Sequence, residues 1–551
     1  MDETAPSPEE RISDPWWKDV IIYAVDVERF CDSDGDGQGD FKGLTSKLSY
    51  LAELGVTCLW ILPFYPSSNR DNGYDITDYL GVDSRYGLFE DFLECLHTAG
   101  EFGIRIIVDL VAQHTSDEHP WFEAARYNEK SRYRSYYIWS EHPPPIEPGK
   151  GTIFPGEEKS VWTYDERARA YYHHRFYHFQ PTLNFAEKNV RDEVERVLDY
   201  WLSFGIAGFR VDAASHIMEH PLAEAGLAPE PPDVLRDLYQ RATRLKPDVL
   251  LLGEVDESVD KLDDFFDGTR LNMMFNFYLN NYLMLALADQ RSEPIYRAVS
   301  LLPLAPQNGQ WANFLRNLDE ADLERLDEGE LQRVFKSFAP DERMRIYGRG
   351  IRRRLAPMLG GDLRRLKMAY SLLFSMPGAP VIVYGDEIGM GDDLDRQGRN
   401  AVRSPMQWTA GTNGGFSTAP KKNLAQAMVD DGRFGYEQVN VADQQDDADS
   451  MLSFIRQLTK LRRSNKAIGS GSCTVLDSGS DHVLAHHYKA DHNPLLFLHN
   501  LKGEPARVDV ELTPGMEELV SFFGGEGGSI EDGRLKLDLD SYGVRWLGRD
   551  R

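Results

Sequence analysis

The stretch that decides the fold runs from Val190 to Asp212 and reads VRDEVERVLDYWLSFGIAGFRVD. Its first part repeats apolar residues at a period of 3.6, which predicts a helix with one buried face. Its last part is a short apolar run from Ile206 to Val211, which predicts a buried strand. An amphipathic helix that leads into a buried strand is the repeating unit of a parallel sheet covered by helices.

The same unit recurs along the chain. Helical periodicity appears again over Leu44–Leu54, Phe89–Ala99 and Leu363–Phe374. Eight apolar runs predict strands, namely Ile21–Val25, Cys58–Leu62, Arg105–Asp109, Ile206–Val211, Val249–Glu254, Leu271–Phe275, Phe314–Leu318 and Pro380–Tyr384. Because eight strands close a barrel, the pattern predicts an α/β protein built on a (β/α)8 TIM barrel.

Two stretches interrupt this pattern. About 75 aromatic-rich residues follow the third strand, too many for an ordinary βα loop, so we expect an inserted subdomain there. After residue 466 the pattern changes to short alternating runs, which predict a C-terminal antiparallel β-sandwich. The expected domains are residues 1–114 for the first part of the barrel, 115–187 for the insert, 188–466 for the rest of the barrel and 467–551 for the sandwich.

Composition excludes several classes of function. The formal net charge of the 551 residues is -28, so nucleic acid and anionic membranes should repel the chain. The four cysteines form no CxxC pair, which argues against a zinc or redox motif. We find no secretory signal and no apolar run long enough to span a membrane, and therefore expect a cytoplasmic protein.

Acidic residues stand where the predicted strands end. Asp109, Asp212, Glu254 and Asp319 follow the third, fourth, fifth and seventh strands, and Arg210 precedes Asp212 by two positions. Barrel enzymes carry their catalytic groups at this end of the strands. Like charges gathered in one cleft repel each other, an arrangement that folded proteins keep mainly where function needs it. Glycoside cleavage needs such a pair of carboxyl groups.

These segments resemble the ordered motifs of glycoside hydrolase family 13, the α-amylase family. The resemblance rests on Asp109–His114, Gly208–Asp212, Leu252–Glu254 and Asn317–Asp319. It implies a retaining mechanism with Asp212 as nucleophile and Glu254 as general acid/base. It further implies that Asp319 holds the hydroxyl groups of the substrate and distorts its ring.

The resemblance also implies substrate-binding residues. These are Tyr74, Asp75, His114, Arg210 and Arg403. The chain departs from the family at Leu318, where histidine is usual. The residues after the acid/base, Val255–Ser258, also differ from those of the branch that interconverts maltose and trehalose, so the acceptor side of the pocket is expected to differ.

A loop after the first strand predicts a metal site. Residues 32–40 read DSDGDGQGD, which places acids at alternate positions with glycines between them. Such spacing folds oxygen atoms around a hard cation, although a solvated Asp/Gly turn is the simpler alternative. The family resemblance implies structural calcium, with magnesium as the alternative ion, bound by Asp32, Asp34, Asp36, the Gln38 carbonyl and Asp40. We expect no organic cofactor.

Three functions remain open at this point. Residues 350–358 and 375–390 are most similar to the branch that interconverts maltose and trehalose, which implies a transglucosylase or isomerase. A hydrolase of short α-glucosides would use the same acids. A non-catalytic binding protein is the third alternative, and the presence of all three acids argues against it. The expected partners are maltose, trehalose and short maltooligosaccharides.

Overall fold

Eight parallel strands form one closed barrel, as predicted, in a computed structural model that describes residues 14–142, 151–222, 231–489 and 494–549. Each strand pairs with the one before it and the one after it, and the eighth pairs with the first. The barrel strands are Ile22–Val25, Cys58–Ile61, Arg105–Leu110, Gly208–Val211, Leu250–Gly253, Met273–Phe275, Gln310–Phe314 and Ala379–Val383.

The seventh strand lies earlier in the chain than predicted. It spans Gln310–Phe314 and shares only Phe314 with the predicted strand. A search for apolar runs could not detect this strand because some of its residues are polar. These polar residues form hydrogen bonds inside the fold. The Gln310 amide donates to the carbonyl oxygens of Lys18 and Gly469, and the Asn313 amide donates to the carbonyl oxygen of Pro377.

Helices cover the outside of the barrel. Lys188–Ser203 buries the apolar face that the sequence predicts, including Trp201, which is fully buried. Replacing such a side chain by alanine typically costs about 3–5 kcal/mol. The α-helices of the barrel region are Phe41–Ser46, Leu48–Leu54, Phe89–Glu101, Lys188–Ser203, Ala214–Ile217, Val234–Leu245, Phe277–Asp289, Glu293–Leu301, Glu328–Phe338, Leu355–Met358, Leu363–Ser375, Val441–Gln445, Met451–Ser464 and Ala467–Ser470.

The fourth and fifth strands approach each other closely at Gly208. A Cβ atom added there would lie 1.9 Å from the carbonyl oxygen of Leu250 on the neighbouring strand. Only glycine fits at this position. The close approach allows the strand pairing that places Arg210 and Asp212 at the C-terminal end of the barrel.

The insert after the third strand has a small core of its own. It contains the helix Pro120–Tyr127 and a three-stranded sheet of Trp139–Ser140, Trp162–Asp165 and Ala170–His173. Phe122 stacks on Trp139 with ring centroids 5.5 Å apart, and Tyr172 packs edge-on against Phe122 at 5.1 Å. Most rings of the insert therefore pack against one another, as the sequence predicts.

The C-terminal region forms two packed antiparallel sheets, which confirms the predicted sandwich. One sheet contains Ser472–Leu476, Val483–Lys489, Leu495–Asn500, Val544–Arg549 and Leu519–Phe523, and the other contains Ala506–Glu511, Arg534–Leu539 and Ser529–Glu531. Their apolar faces share one buried core. A third small sheet of Ala321–Asp322, Gly350–Ile351 and Arg345–Ile346 lies after the seventh barrel strand.

None of the helices in the described ranges is both long and apolar enough to cross a membrane.

Candidate active site

A cavity of about 970 Å³, its open mouth included, lies at the C-terminal ends of the barrel strands. Its wall includes Asp212, Glu254 and Asp319, so the structure brings together the three acids that the sequence singled out. Asp212 and Glu254 directly follow the fourth and fifth strands, and Asp319 stands in the loop after the seventh strand.

Arg210 holds the centre of this site. Its guanidinium donates to Asp109 Oδ1 at 2.6 Å, contacts Asp212 through the same nitrogen, and pairs with Glu254 Oε1 at 2.7 Å through the other terminal nitrogen. The Arg210 side chain is only 3% exposed. Asp109 is fixed from its other side by the indole N–H of Trp60 at 2.8 Å. Asp212 and Glu254 are therefore held on the two terminal nitrogens of one side chain.

Three carboxyl groups around one guanidinium leave an excess of negative charge in a buried place. Burial raises the pKa of Asp109 to about 7, although Arg210 opposes the shift. Burial also raises the pKa of Asp212 and of Glu254, with Arg210 opposing both shifts and the Asp212 charge adding to the rise at Glu254. Because these acids titrate together, we expect the cluster to keep a proton near neutral pH.

The backbone after Asp212 links the two strands that carry the acids. Ala213 adopts a left-handed conformation with φ +45°, which is uncommon and strained for a residue with a side chain. In this conformation its N–H donates to Glu254 Oε2 at 3.0 Å, and the N–H of Ala214 donates to the Glu254 carbonyl oxygen at 2.9 Å. The strained residue thus fixes the position of Glu254 relative to Asp212.

Asp319 stands apart from this cluster and has its own cations. Arg403 Nη2 lies 2.6 Å from Asp319 Oδ1, and Arg399 Nη1 lies 3.0 Å from the same oxygen. Burial acts to raise the pKa of Asp319, but Arg399 and Arg403 outweigh it, so its pKa is lowered. Asp319 is therefore ionised at neutral pH.

The predicted substrate residues fall into two groups. Tyr74, His114 and Arg210 line the cavity. The His114 Nε2–H donates to the Tyr74 carbonyl oxygen at 3.0 Å, and burial lowers the pKa of this histidine to about 4. Arg403 is 1% exposed and lies behind Asp319, outside the cavity wall.

Asp75 does not line the cavity, which corrects the expectation that its carboxylate meets substrate. It is fully buried and accepts the backbone N–H groups of Arg70 at 3.1 Å and Asp71 at 3.2 Å, so it stabilises its own loop. Asp71 lines the cavity in its place. The Gln180 amide donates to Asp71 at 2.8 Å, and burial raises the pKa of Asp71 to about 6.

Sequence reasoning missed other lining residues as well. Asn317 stands within the motif Asn317–Asp319, whereas Arg399 lies four residues before Arg403 and in no motif that the sequence singled out. Phe154 and Phe176 reach the cavity from the insert, and no spacing distinguished them from the rings of its core. Leu318 is 4% exposed and is not part of the described cavity wall.

The loop after the first strand brings three of its predicted ligands together. Asp32, Asp34 and Asp40 each place a carboxylate oxygen within 4.8 Å of the others. Calcium binds oxygen at about 2.3–2.6 Å, so oxygens at this spacing can share one ion. Asp36 lies outside this group, and its carboxylate accepts the N–H of Gln38 at 2.7 Å. The Gln38 carbonyl remains a predicted ligand.

Glycine is required within this loop. Gly37 has φ +102°, and a Cβ atom added there would lie 2.2 Å from the carbonyl oxygen of Asn423. The loop thus packs tightly on residues 416–425, and the donor set of three carboxylates fits a hard cation.

Comparisons with known proteins agree with this architecture. The family model of the α-amylase catalytic domain matches residues 22–471, and that of the sucrose hydrolase-like C-terminal domain matches residues 493–548. A trehalose synthase/amylase from Mycolicibacterium smegmatis is 39% identical over 86% of this chain and 80% of its own length. A trehalose synthase from Thermus thermophilus is 38% identical over 96% of this chain, and the chain spans 55% of the length of that relative.

A solved structure shows the same fold. The trehalulose synthase MutB from Pseudomonas mesoacidophila has a TM-score of 0.77 and 26% identity, and the match covers 97% of this chain and 99% of that one. The first family model spans the barrel and the insert, and the second spans most of the C-terminal sheets. The chain belongs to the α-amylase family of enzymes, glycoside hydrolase family 13.

Proposed function

We propose that the chain is a retaining α-glucosyl transferase that interconverts maltose and trehalose. One observation carries the retaining mechanism, namely that Asp212 and Glu254 are bridged by the guanidinium of Arg210, and the trehalose synthase relatives support the reaction. A retaining mechanism needs two carboxyl groups about 5–5.5 Å apart, and acids on adjacent nitrogens of one side chain are close enough for this.

The charges around the acids support distinct roles. Asp212 attacks the anomeric carbon and forms the glycosyl-enzyme, while Arg210 stabilises its charge. Glu254, whose pKa burial and Asp212 raise, donates a proton to the leaving oxygen and later takes one from the acceptor. The backbone N–H of Ala213 holds the other Glu254 oxygen, which leaves the carboxyl group oriented for this transfer.

The donor glucose would occupy the end of the cavity near Tyr74. Asp319, kept ionised by its two arginines, accepts hydrogen bonds from sugar hydroxyls. Asp71 and His114 offer further polar contacts at this end, and the Tyr74 ring suits the apolar face of a pyranose. Arg403 acts through Asp319, which it orients from behind.

Transfer without hydrolysis requires that water be kept from the glycosyl-enzyme. Aromatic rings of the insert support such closure. Phe154 lines the cavity and packs on Tyr347 with ring centroids 5.1 Å apart, while the Arg399 guanidinium lies 4.7 Å from the Phe154 centroid. These contacts join the insert to the barrel loops above the acids.

A hydrolase of short α-glucosides is the second candidate. It is favoured by the Mycolicibacterium smegmatis relative, which is described as both a trehalose synthase and an amylase. The two functions use the same acids and differ in the access of water.

Calcium is the metal that we propose for the loop containing Asp32. Asp32, Asp34 and Asp40 would bind it, and its role would be structural. The ion would tie this loop to residues 416–425, which the hydroxyl of Ser417 already joins to Asp32.

The experiment is incubation of the purified protein with maltose, trehalose and sucrose separately, with products separated by chromatography. Trehalose formed from maltose with little free glucose is the expected result. Glucose as the main product would establish the hydrolase instead. No product from any of the three sugars, in a protein with a cooperative melting transition, would contradict both functions.

A further inference from the structure

The cavity extends past the catalytic acids to a second wall. Asp256 follows Glu254 by two residues, so this wall begins beside the proposed acid/base. Asp322, Glu324 and Arg349 complete it, and all four residues line the cavity. Asp322 and Arg349 come from the small sheet after the seventh strand and its adjoining loop. The proposed donor residues Asp71 and Tyr74 come from a different loop.

Two ion pairs build the wall. Arg325 Nε donates to Asp256 Oδ1 at 2.8 Å, and its Nη2 donates to the Asp256 carbonyl oxygen at 3.0 Å. Arg349 Nε donates to Asp322 Oδ2 at 2.8 Å and lies 3.6 Å from Glu324. The arginines fix the carboxylates in place, so these groups are presented to a ligand in a set geometry.

This wall is not arranged for a metal ion. Oxygens of Asp256, Asp322 and Glu324 lie within 4.8 Å of one another, but the two arginines already occupy this acidic group. The wall has no guanidinium group to spare for an anion, because three carboxyl groups face two guanidinium groups that are already paired with them.

The cavity as a whole also holds more carboxyl groups than guanidinium groups. Among the described residues that line it, eight carry carboxyl groups and three carry guanidinium groups. The mutual repulsion is visible at Asp256, where burial and the charges of Asp322 and Glu324 raise the pKa to about 7 against the opposing effect of Arg325.

We propose, on the basis of the transferase function above, that the Asp256–Arg325 and Asp322–Arg349 pairs bind the second sugar of the disaccharide and restrict it to an uncharged sugar. Hydroxyl groups of a neutral sugar donate to the carboxylates and accept from Arg349, and such charge-assisted hydrogen bonds are strong. A phosphate on that sugar would enter a cavity with a surplus of carboxylates. Repulsion between the phosphate and these carboxylates would weaken binding of the phosphorylated sugar.

The test compares trehalose with trehalose 6-phosphate and uses α-glucosyl fluoride as a probe of the donor end alone. Glucosyl fluoride releases fluoride and leaves the second wall empty. For the unmodified protein, kcat/KM for trehalose 6-phosphate should be lower than for trehalose by on the order of 100-fold. Equal values for the two sugars would overturn the proposal, and this comparison needs no variant that could misfold.

Two substitutions then assign the effect to the wall. Asp256→Asn and Asp322→Asn should each raise KM for trehalose by about tenfold through the lost charge-assisted hydrogen bonds. Each should also reduce the ratio of kcat/KM for trehalose to kcat/KM for trehalose 6-phosphate by on the order of tenfold. By contrast, kcat for glucosyl fluoride should fall by much less. If this ratio were unchanged in both variants, the assignment of the discrimination to the second wall would be overturned.

The matched control is Asp289→Asn, which removes a carboxylate from the pair with Arg333 on the outer surface of the barrel. It should leave every kinetic constant as it was. Failure of the transferase function is distinguishable by the products, because the unmodified protein would then either fail to turn over glucosyl fluoride and trehalose or form only glucose from trehalose, without maltose, and the proposal would fall with it. Turnover of both, with maltose formed from trehalose but without discrimination against the phosphate, would contradict the proposal alone.

Discussion

Replacing Arg210 by lysine should disable the site without changing its net charge. The guanidinium contacts Asp109, Asp212 and Glu254 through two nitrogens, and one lysine ammonium cannot span the same three acids. At least two of the three contacts should be lost. Hydrogen bonds to charged groups contribute about 1.5–3 kcal/mol each, so the loss is about 3–6 kcal/mol.

That free energy divides between stability and catalysis. If most of it is lost from the transition state, kcat/KM for maltose should fall by about 100-fold to 10,000-fold, since each 1.4 kcal/mol is a factor of ten. If most is lost from the folded state, Tm should fall instead, because two buried carboxylates lose their partner. Initial rates by chromatography and thermal melts by circular dichroism measure both quantities.

Arg333→Lys is the matched control, since Arg333 forms an exposed pair with Asp289, and it should leave both rate and Tm unchanged. The reasoning would be refuted if Arg210→Lys kept more than one tenth of the activity with an unchanged Tm.

Three further predictions follow from particular contacts. Asp71→Asn should lower kcat/KM by about 100-fold with little change in Tm, because Asp71 lines the cavity. Asp75→Asn should lower Tm, because Asp75 accepts two backbone N–H groups. A large fall in Tm for Asp71→Asn, together with a large fall in kcat/KM alone for Asp75→Asn, would contradict the placement of these acids. Treatment with EDTA should lower Tm, and added calcium should restore it. The Tm of an Asp34→Asn variant should change less on treatment with EDTA. A Tm of the unmodified protein that EDTA does not change would argue against the metal. Burial lowers the pKa of His486 to about 4, so the unfolded chain binds a proton at higher pH than the folded one. The free energy of unfolding should therefore fall as pH drops from about 6.5 to about 4, and it should fall less steeply in His486→Gln. Parallel pH profiles of Tm for the two proteins would contradict this.

The barrel could be predicted from sequence because burial imposes a simple pattern on it. Strands covered by helices on one side and facing packed side chains on the other are mostly apolar, and short apolar runs identified seven of the eight barrel strands at or near their observed positions. The seventh strand was misplaced because Gln310 and Asn313 form hydrogen bonds inside the fold, which no apolar pattern reveals. The true strand ends five residues before Asp319, and the loop between them carries Asn317 to the cavity.

The acids could be predicted because each follows a strand whose end must lie at the same face of the barrel. Residues on loops were predicted less well. Asp71 and Asp75 stand in one short loop, and only the hydrogen bonds of the folded backbone separate the acid that lines the cavity from the one that stabilises the loop. Arg399 and Arg403 differ in the same way, since both contact Asp319 but only Arg399 reaches the cavity wall.

The sequence singled out the segment that contains Asp256 through the family resemblance, but no sequence pattern pointed to the rest of the second wall. Asp256, Asp322 and Arg349 are far apart in the chain, and each taken alone is an ordinary surface charge. Their meeting depends on the small sheet after the seventh strand, whose strands are only two residues long. Such short strands have no periodicity to detect.

The most direct test is to trap the glycosyl-enzyme with 5-fluoro-α-D-glucosyl fluoride, a substrate whose fluorine slows the second step, and to locate the label by peptide mass spectrometry. The predicted result is one fluoroglucosyl group bound to Asp212, with no label in Asp212→Asn. A label on another carboxylate, or release of β-glucose from maltose without any covalent species, would contradict nucleophilic attack by Asp212.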